Sequence, residues 1–165
     1  MAIRIQKLTL WRTVVPHRPG ALAELLDPLA AAGADLQVVM GYRLHGPEGR
    51  AVVEVSPINS RRPALAAEKS GLTPGGAPTL QVLGDNRPGL ANRIARALAD
   101  SHVNIAFLVA QVVGKRYSAI FGFESEADLD KAADRIRAAV VARPIVRPAA
   151  PRKLGGRARQ AKARR

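Results

Sequence analysis

Leu22, Leu25, Leu26 and Leu29 fall at i, i+3, i+4 and i+7, one stripe of a helix. Pro19 suits its first position, where a missing N–H needs no partner, and Gly33 supplies a stop, so the helix is expected to run to about Ala32. Pro28 lies inside the stripe and is expected to kink or break it. A β-rich run from Lys7 to Val15, ended by Pro16, precedes this helix. Strands at Leu36–Leu44 and Ala51–Val55 follow, separated by the turn-rich residues 45–49. A short helix is expected over residues 63–70, before a Gly- and Pro-rich stretch at 71–78. The pattern then starts again: a strand at Thr79–Gly84, a loop at 85–87, and a helix at Pro88–Ser101. Val103–Val113 reads as a strand apolar on both faces, turned by Gly114-Lys115 into Tyr117–Phe123. Glu124-Ser125-Glu126 opens a last helix whose core face is Leu129, Ala132, Ala133, Ile136 and Val140. Its acidic start and basic end (Arg135, Arg137) complement the helix dipole.

The two halves align without a gap at a shift of 69 residues. Arg18-Pro19-Gly20 falls on Arg87-Pro88-Gly89, the four leucines on Ala91, Ile94, Ala95 and Leu98, and Asp35-Leu36 on Asn104-Ile105. Self-similarity at a fixed period implies two copies of one small unit. Each copy reads β-α-β-β-α, close to the split βαβ of ferredoxin-like domains, so the expected class is α+β. The expected organisation is a first domain at 1–72, a linker at 73–78, a second domain at 79–142 and a basic tail at 143–165. Neither copy shows an evident fourth strand; the only candidates are the neighbourhood of Leu72 and the Pro-interrupted 140–146. Incomplete sheets carrying a strand apolar on both faces imply covered surfaces, so packing of the two domains and a homodimer are expected.

Charge modifies this picture at one end. The net charge is +13, yet residues 143–165 hold nine Lys or Arg and no acid, against 17 basic and 13 acidic residues elsewhere. Such a segment, without apolar period, is expected to be disordered and to attract nucleic acid or another polyanion in a salt-dependent way. It has no aromatic residue, which argues against base stacking. A merely solubilising role stays open. Cysteine is absent, which excludes disulfides and thiolate sites and fits a reducing cytoplasm. Charges at Arg4, Lys7 and Arg12 interrupt the N-terminal apolar run, and no stretch approaches a membrane span, so a cytoplasmic protein without membrane contact is expected.

A strand running into Gly84-Asp85-Asn86-Arg87-Pro88-Gly89-Leu90, an amphipathic helix, a strand start at Val103-Asn104-Ile105 and a hairpin together resemble ACT domains, the amino-acid-sensing regulatory modules. Residues 16–22 with Ala34-Asp35-Leu36 form a looser copy, and the whole is similar to stand-alone tandem ACT proteins. The resemblance implies that Asn86 and Asn104 contact an amino acid, with Arg87, Gly89 and Leu90 in the same loop. In the first copy the aligned positions are His17, Gly20, Ala21 and Asp35, so that site is altered, differently selective or dead. The serine-binding type carries a histidine where this chain has Gly84, which argues against serine. Elementary chemistry is compatible: helix-start N–H groups suit a carboxylate, and amide oxygens accept from an ammonium. Simpler roles stay open beside these. Pro-Gly satisfies turn geometry, Arg18 and Arg87 suit a solvated surface, and Asn104 or Asp35 can serve local backbone groups.

Three scattered histidines (17, 45 and 102) have no metal-ligand spacing, and no nucleophile elbow, P-loop or dinucleotide fingerprint occurs. The expectation is therefore a protein without catalysis, metal or cofactor. Two functions follow. One is a small-molecule sensor whose amino-acid ligand shifts domain or subunit packing toward a regulated enzyme or other protein partner. The other is a dimerising platform whose tail binds nucleic acid or another polyanion.

Overall fold

The computed structural model describes residues 3–46 and 48–141. The expected α+β class is found, as two four-stranded antiparallel sheets, each with two helices on one face. In the first sheet the order is β3 (Val38–Arg43), β4 (Arg50–Ser56), β2 (Trp11–Pro16) and β5 (Thr73–Pro74), with α1 (Ala21–Ala31) and α2 (Arg61–Lys69). In the second it is β7 (Phe107–Val113), β8 (Arg116–Gly122), β6 (Thr79–Asp85) and β1 (Arg4–Leu8), with α3 (Leu90–Ala99) and α4 (Glu126–Val141).

The N-terminal chain pairs differently from the single strand expected over 7–15. That run belongs to two strands, broken at Thr9-Leu10. Only β2 joins the first sheet. β1 crosses to the second, pairing Arg4 with Leu83 and Leu8 with Thr79. β1 is thus the fourth strand of the second sheet, and that of the first is Thr73-Pro74, in the neighbourhood of Leu72, against Trp11-Arg12. Ile3 and Ile5 accompany β1 into the second core. An edge strand here covers apolar surface that β6 alone would leave open.

Helix α1 runs through Pro28, which costs one backbone bond within it without ending it. Its buried face is Ala21, Leu25 and Leu29, while Leu22 stands 45% exposed. The same offset recurs in α3, which buries Leu90, Ile94 and Leu98. Ser125 caps α4, its hydroxyl accepting from the Asp128 N–H at 3.1 Å. The segment 103–106, expected to belong to β7, lies outside the strand, and Ala106 donates to the Gly122 carbonyl.

The second core holds fourteen buried residues, among them Phe121, Phe123, Leu129 and Ile136, against seven in the first, where Trp11 is the largest. A third cluster of Leu10, Val38 and Ile120, flanked by Met40 and Phe107, joins the helix-free sides of the two sheets. This is the domain packing expected from the sequence. Gly122 is required by space here, because a Cβ would lie 2.1 Å from the Phe107 ring.

Candidate functional site

Each Arg-Pro-Gly loop joins a central strand to a helix. Gly20 and Gly89 hold φ of +88° and +78°, a left-handed turn that a side chain disfavours, so the glycines serve backbone geometry first. The Ala21 N–H donates to the Arg18 carbonyl and the Leu90 N–H to that of Arg87. Both side chains enter the cores. Ala21 and Leu90 are thus turn and core residues, with their own N–H groups already engaged. His17 and Asn86 are tied by their N–H groups to the hairpin opposite, at Gly49 (2.6 Å) and Lys115 (2.8 Å), and their side chains are exposed.

Within one unit the nominated residues do not meet. Asn86 follows β6, whereas Asn104 precedes β7, which runs parallel to β6 with β8 between them. The two asparagines therefore lie at opposite ends of the sheet, roughly 20 Å apart along a seven-residue strand. Asn104 donates from Nδ2 to Glu124 Oε1 at 2.9 Å. His17 and Asp35 are separated in the same way across the first sheet, both exposed.

The space beneath the second loop is nearly filled. A cavity of about 20 Å³, room for one water molecule, lies among Ile3, Asp85, Arg87, Leu90, Arg93 and Val140. Ile3 also occupies the side of Gly84, where an added Cβ would come within 2.6 Å of Ile3 Cγ1. The glycine at this position thus makes room for the crossing N-terminal segment. Asp85 accepts from Arg116 at 2.9 Å. In the first unit Arg18 grips Glu24 through two hydrogen bonds of 2.6 and 2.8 Å, which hold the Glu24 carboxyl below its ordinary range.

Next to these ends lies an open edge. In β7, Leu108, Val109, Val112 and Val113 are 47–67% exposed, on both faces of the strand, and none of its seven residues is charged. An uncharged edge of this length is a template for another strand. The edge β3 is shorter by one residue and ends in Arg43. Among the described residues no group of His, Asp and Glu could hold a metal ion, and no helix is long and apolar enough to cross a membrane. The basic segment 143–165, which carries the polyanion expectation, lies outside the described residues.

Comparison with known proteins places this geometry. Residues 79–141 match the ACT domain family model. No curated protein matches the sequence. Among solved structures, a protein of Bacteroides thetaiotaomicron is similar over 81% of this chain and 89% of its own, with a TM-score of 0.65 at 12% identity. The regulatory subunit of aspartate kinase from Thermus thermophilus, in its ligand-free form, is similar over 84% of this chain and 97% of its own (TM-score 0.57, 14% identity). A structure of aspartokinase alpha and beta subunits gives 85% and 97%, with a TM-score of 0.56 at 15% identity. These likenesses extend the fold across both units.

Proposed function

Starting from an ACT-domain protein, with its ACT domain at residues 79–141 behind a unit of the same fold, we propose that the chain is a regulatory sensor of a free amino acid. The ligand sits between copies of the chain. The observation that carries this is the separation of Asn86 from Asn104 together with the bare edge of β7, the strand that Asn104 precedes. Two β7 strands pairing antiparallel about a two-fold axis would bring the loop end of one sheet to the junction end of the other. The loop Asn86-Arg87-Pro88-Gly89 would then face Asn104 of the partner subunit. The small cavity under the loop supports the same view, since a lone chain offers an amino acid no enclosure there. Arg87 suits the α-carboxylate and an asparagine amide oxygen the ammonium. His17 and Asp35 of the first unit make a different pair, compatible with another ligand or none. Binding at such an interface stabilises the assembled state, and the change in assembly is what an enzyme or other protein partner would read.

Thermal shift with each of the 20 amino acids at millimolar concentration tests this. At least one should raise the melting temperature, and Asn86→Ala and Asn104→Ala should each abolish the rise. No stabilisation by any amino acid would sink the proposal.

A further inference from the structure

The helix-free face of the second sheet is not wholly covered by the first unit. Between them lies a cleft of about 540 Å³, a volume suited to a small metabolite. Its floor is β1 and β6, where Gln6 donates to Gln81 at 2.6 Å. Gln81 is 5% exposed, so an amide pair occupies a sheet face where apolar residues would pack at less cost. After that one bond the pair still holds unused donor and acceptor capacity. The opposite wall comes from the first unit: Gln37, Ser56 and Asn59, with Val38 and Pro57 between them. No Asp or Glu lines the cleft. Two cations border it, but the Lys7 amine is engaged on the other side of the sheet by Asp130 (2.8 Å) and Glu126 (3.3 Å). Arg4 makes no ion pair among the described residues.

One available guanidinium, several amides, the hydroxyls of Thr9 and Ser56 and no acid specify a ligand with one negative charge and uncharged hydrogen-bonding groups. We infer that this inter-unit cleft is a second small-molecule site, separate from the Arg-Pro-Gly loops, and that it takes a small hydroxylated carboxylate. Arg4 receives the carboxylate, and Gln81, Gln37 and Asn59 read the hydroxyl groups. The ligand bridges the two units, so its binding fixes one sheet against the other. A shallow apolar groove elsewhere would accept a hydrocarbon; this cleft would leave its amides unpaired against one.

The experiment uses a feature of the site itself. Trp11 is the sole tryptophan of the chain and borders the cleft, so its emission reports occupancy. The full-length protein is titrated with lactate, glycerate and gluconate, with glycerol as the uncharged twin and inorganic phosphate as the competing anion. The expected result is a saturable change with at least one hydroxycarboxylate and none with glycerol. Loss of a charge-assisted contact in Arg4→Gln, a substitution at an exposed position, should weaken that binding about tenfold or more. Gln81→Leu should weaken it as well, with the melting curve showing that the variant folds. Asn86→Ala separates the two sites: it should abolish the amino-acid response and leave the tryptophan response in place. The inference is overturned if no hydroxycarboxylate changes the emission, if glycerol or phosphate does so equally well, if Arg4→Gln binds as the parent does, or if Asn86→Ala removes the tryptophan response.

Discussion

At positions 69 residues apart, Glu24 of the first unit grips Arg18, whereas Arg93 of the second lines one small cavity with Arg87. The loop arginine of the first unit thus has a carboxylate at the aligned position, where the second unit has another arginine and places Asp85 in the same cavity. Packing differs in the same sense. The second core is twice as populated and takes in Ile3 and Ile5 from the crossing strand, while the first leaves a groove of about 570 Å³ between its helices, at Pro28, Ala31, Leu65 and Ala66. The edges differ too, β7 being uncharged and bare and β3 ending in arginine. The first unit is finished by local chain and closed by an ion pair. The second is finished by borrowed chain and left open where a partner would complete it. A repeat can therefore keep its fold signal in both copies while concentrating recognition in one.

The largest expected effect comes from the borrowed strand. Deleting residues 1–8 removes the partly buried Ile3 and Ile5 from the second core, a loss of at most roughly 3–6 kcal/mol at about 1.5–3 per fully buried aliphatic side chain. Hydrogen exchange should show protection collapsing in β6, β8 and α4 while β2 and β4 keep theirs. Collapse confined to the first sheet would break the comparison.

Core truncations sharpen it next. Ile94→Ala and Leu25→Ala remove aligned buried side chains, and each should cost about 2–5 kcal/mol in denaturant unfolding, with Ile94 at the upper end because its cavity lies in the denser core. Equal losses would say that the two cores are alike.

The turn glycines should behave identically, in contrast. Gly20→Ala and Gly89→Ala each force a side chain into the left-handed region at about 1–2 kcal/mol. Neither new methyl group meets an atom closer than 3.6 Å, so backbone strain is the whole effect.

The smallest effect is electrostatic and belongs to the first unit alone. Glu54 is 4% exposed on the helix-free face of β4, where burial pushes its carboxyl up and Arg12, at 3.7 Å, together with the Tyr42 hydroxyl, only partly opposes this. The folded state thus holds this proton more tightly than the unfolded chain does. Stability is greatest below the ordinary glutamate value of about 4.3 and falls as pH rises through the raised one. Glu54→Gln should flatten that decline in a series of melts; an unchanged slope would assign it elsewhere.

Much of the fold was readable because it is local. The stripe at 25 and 29, matched at 94 and 98, fixed both crossover helices, and the turn residues at 45–49 and 114–115 fixed both hairpins. Leu22 shares the leucine spacing yet lies off the buried face, which runs through Ala21 in one unit and Leu90 in the other, set by the left-handed glycine before each. The crossing of β1 carried no local signal: Thr9-Leu10 lacks a proline or glycine, and the partner strand begins some seventy residues on. Thr73-Pro74 is too short for any alternation to mark it. The site residues were readable as types, but their separation comes from topology. A residue after one strand and a residue before its parallel neighbour must fall at opposite sheet ends.

The shared site between copies is the central claim, and mixing two defective proteins tests it most directly. Asn86→Ala and Asn104→Ala are each prepared, shown not to respond to the stabilising amino acid, then combined and allowed to exchange subunits. A site built across the β7 edges would leave one intact pair of asparagines of two in every mixed dimer, and random exchange makes about half of the dimers mixed, so ligand binding should return to about a quarter of the parental capacity by that symmetry. If the mixture stays as unresponsive as its components while subunits demonstrably exchange, the two asparagines do not act across an interface, and the account fails at its centre.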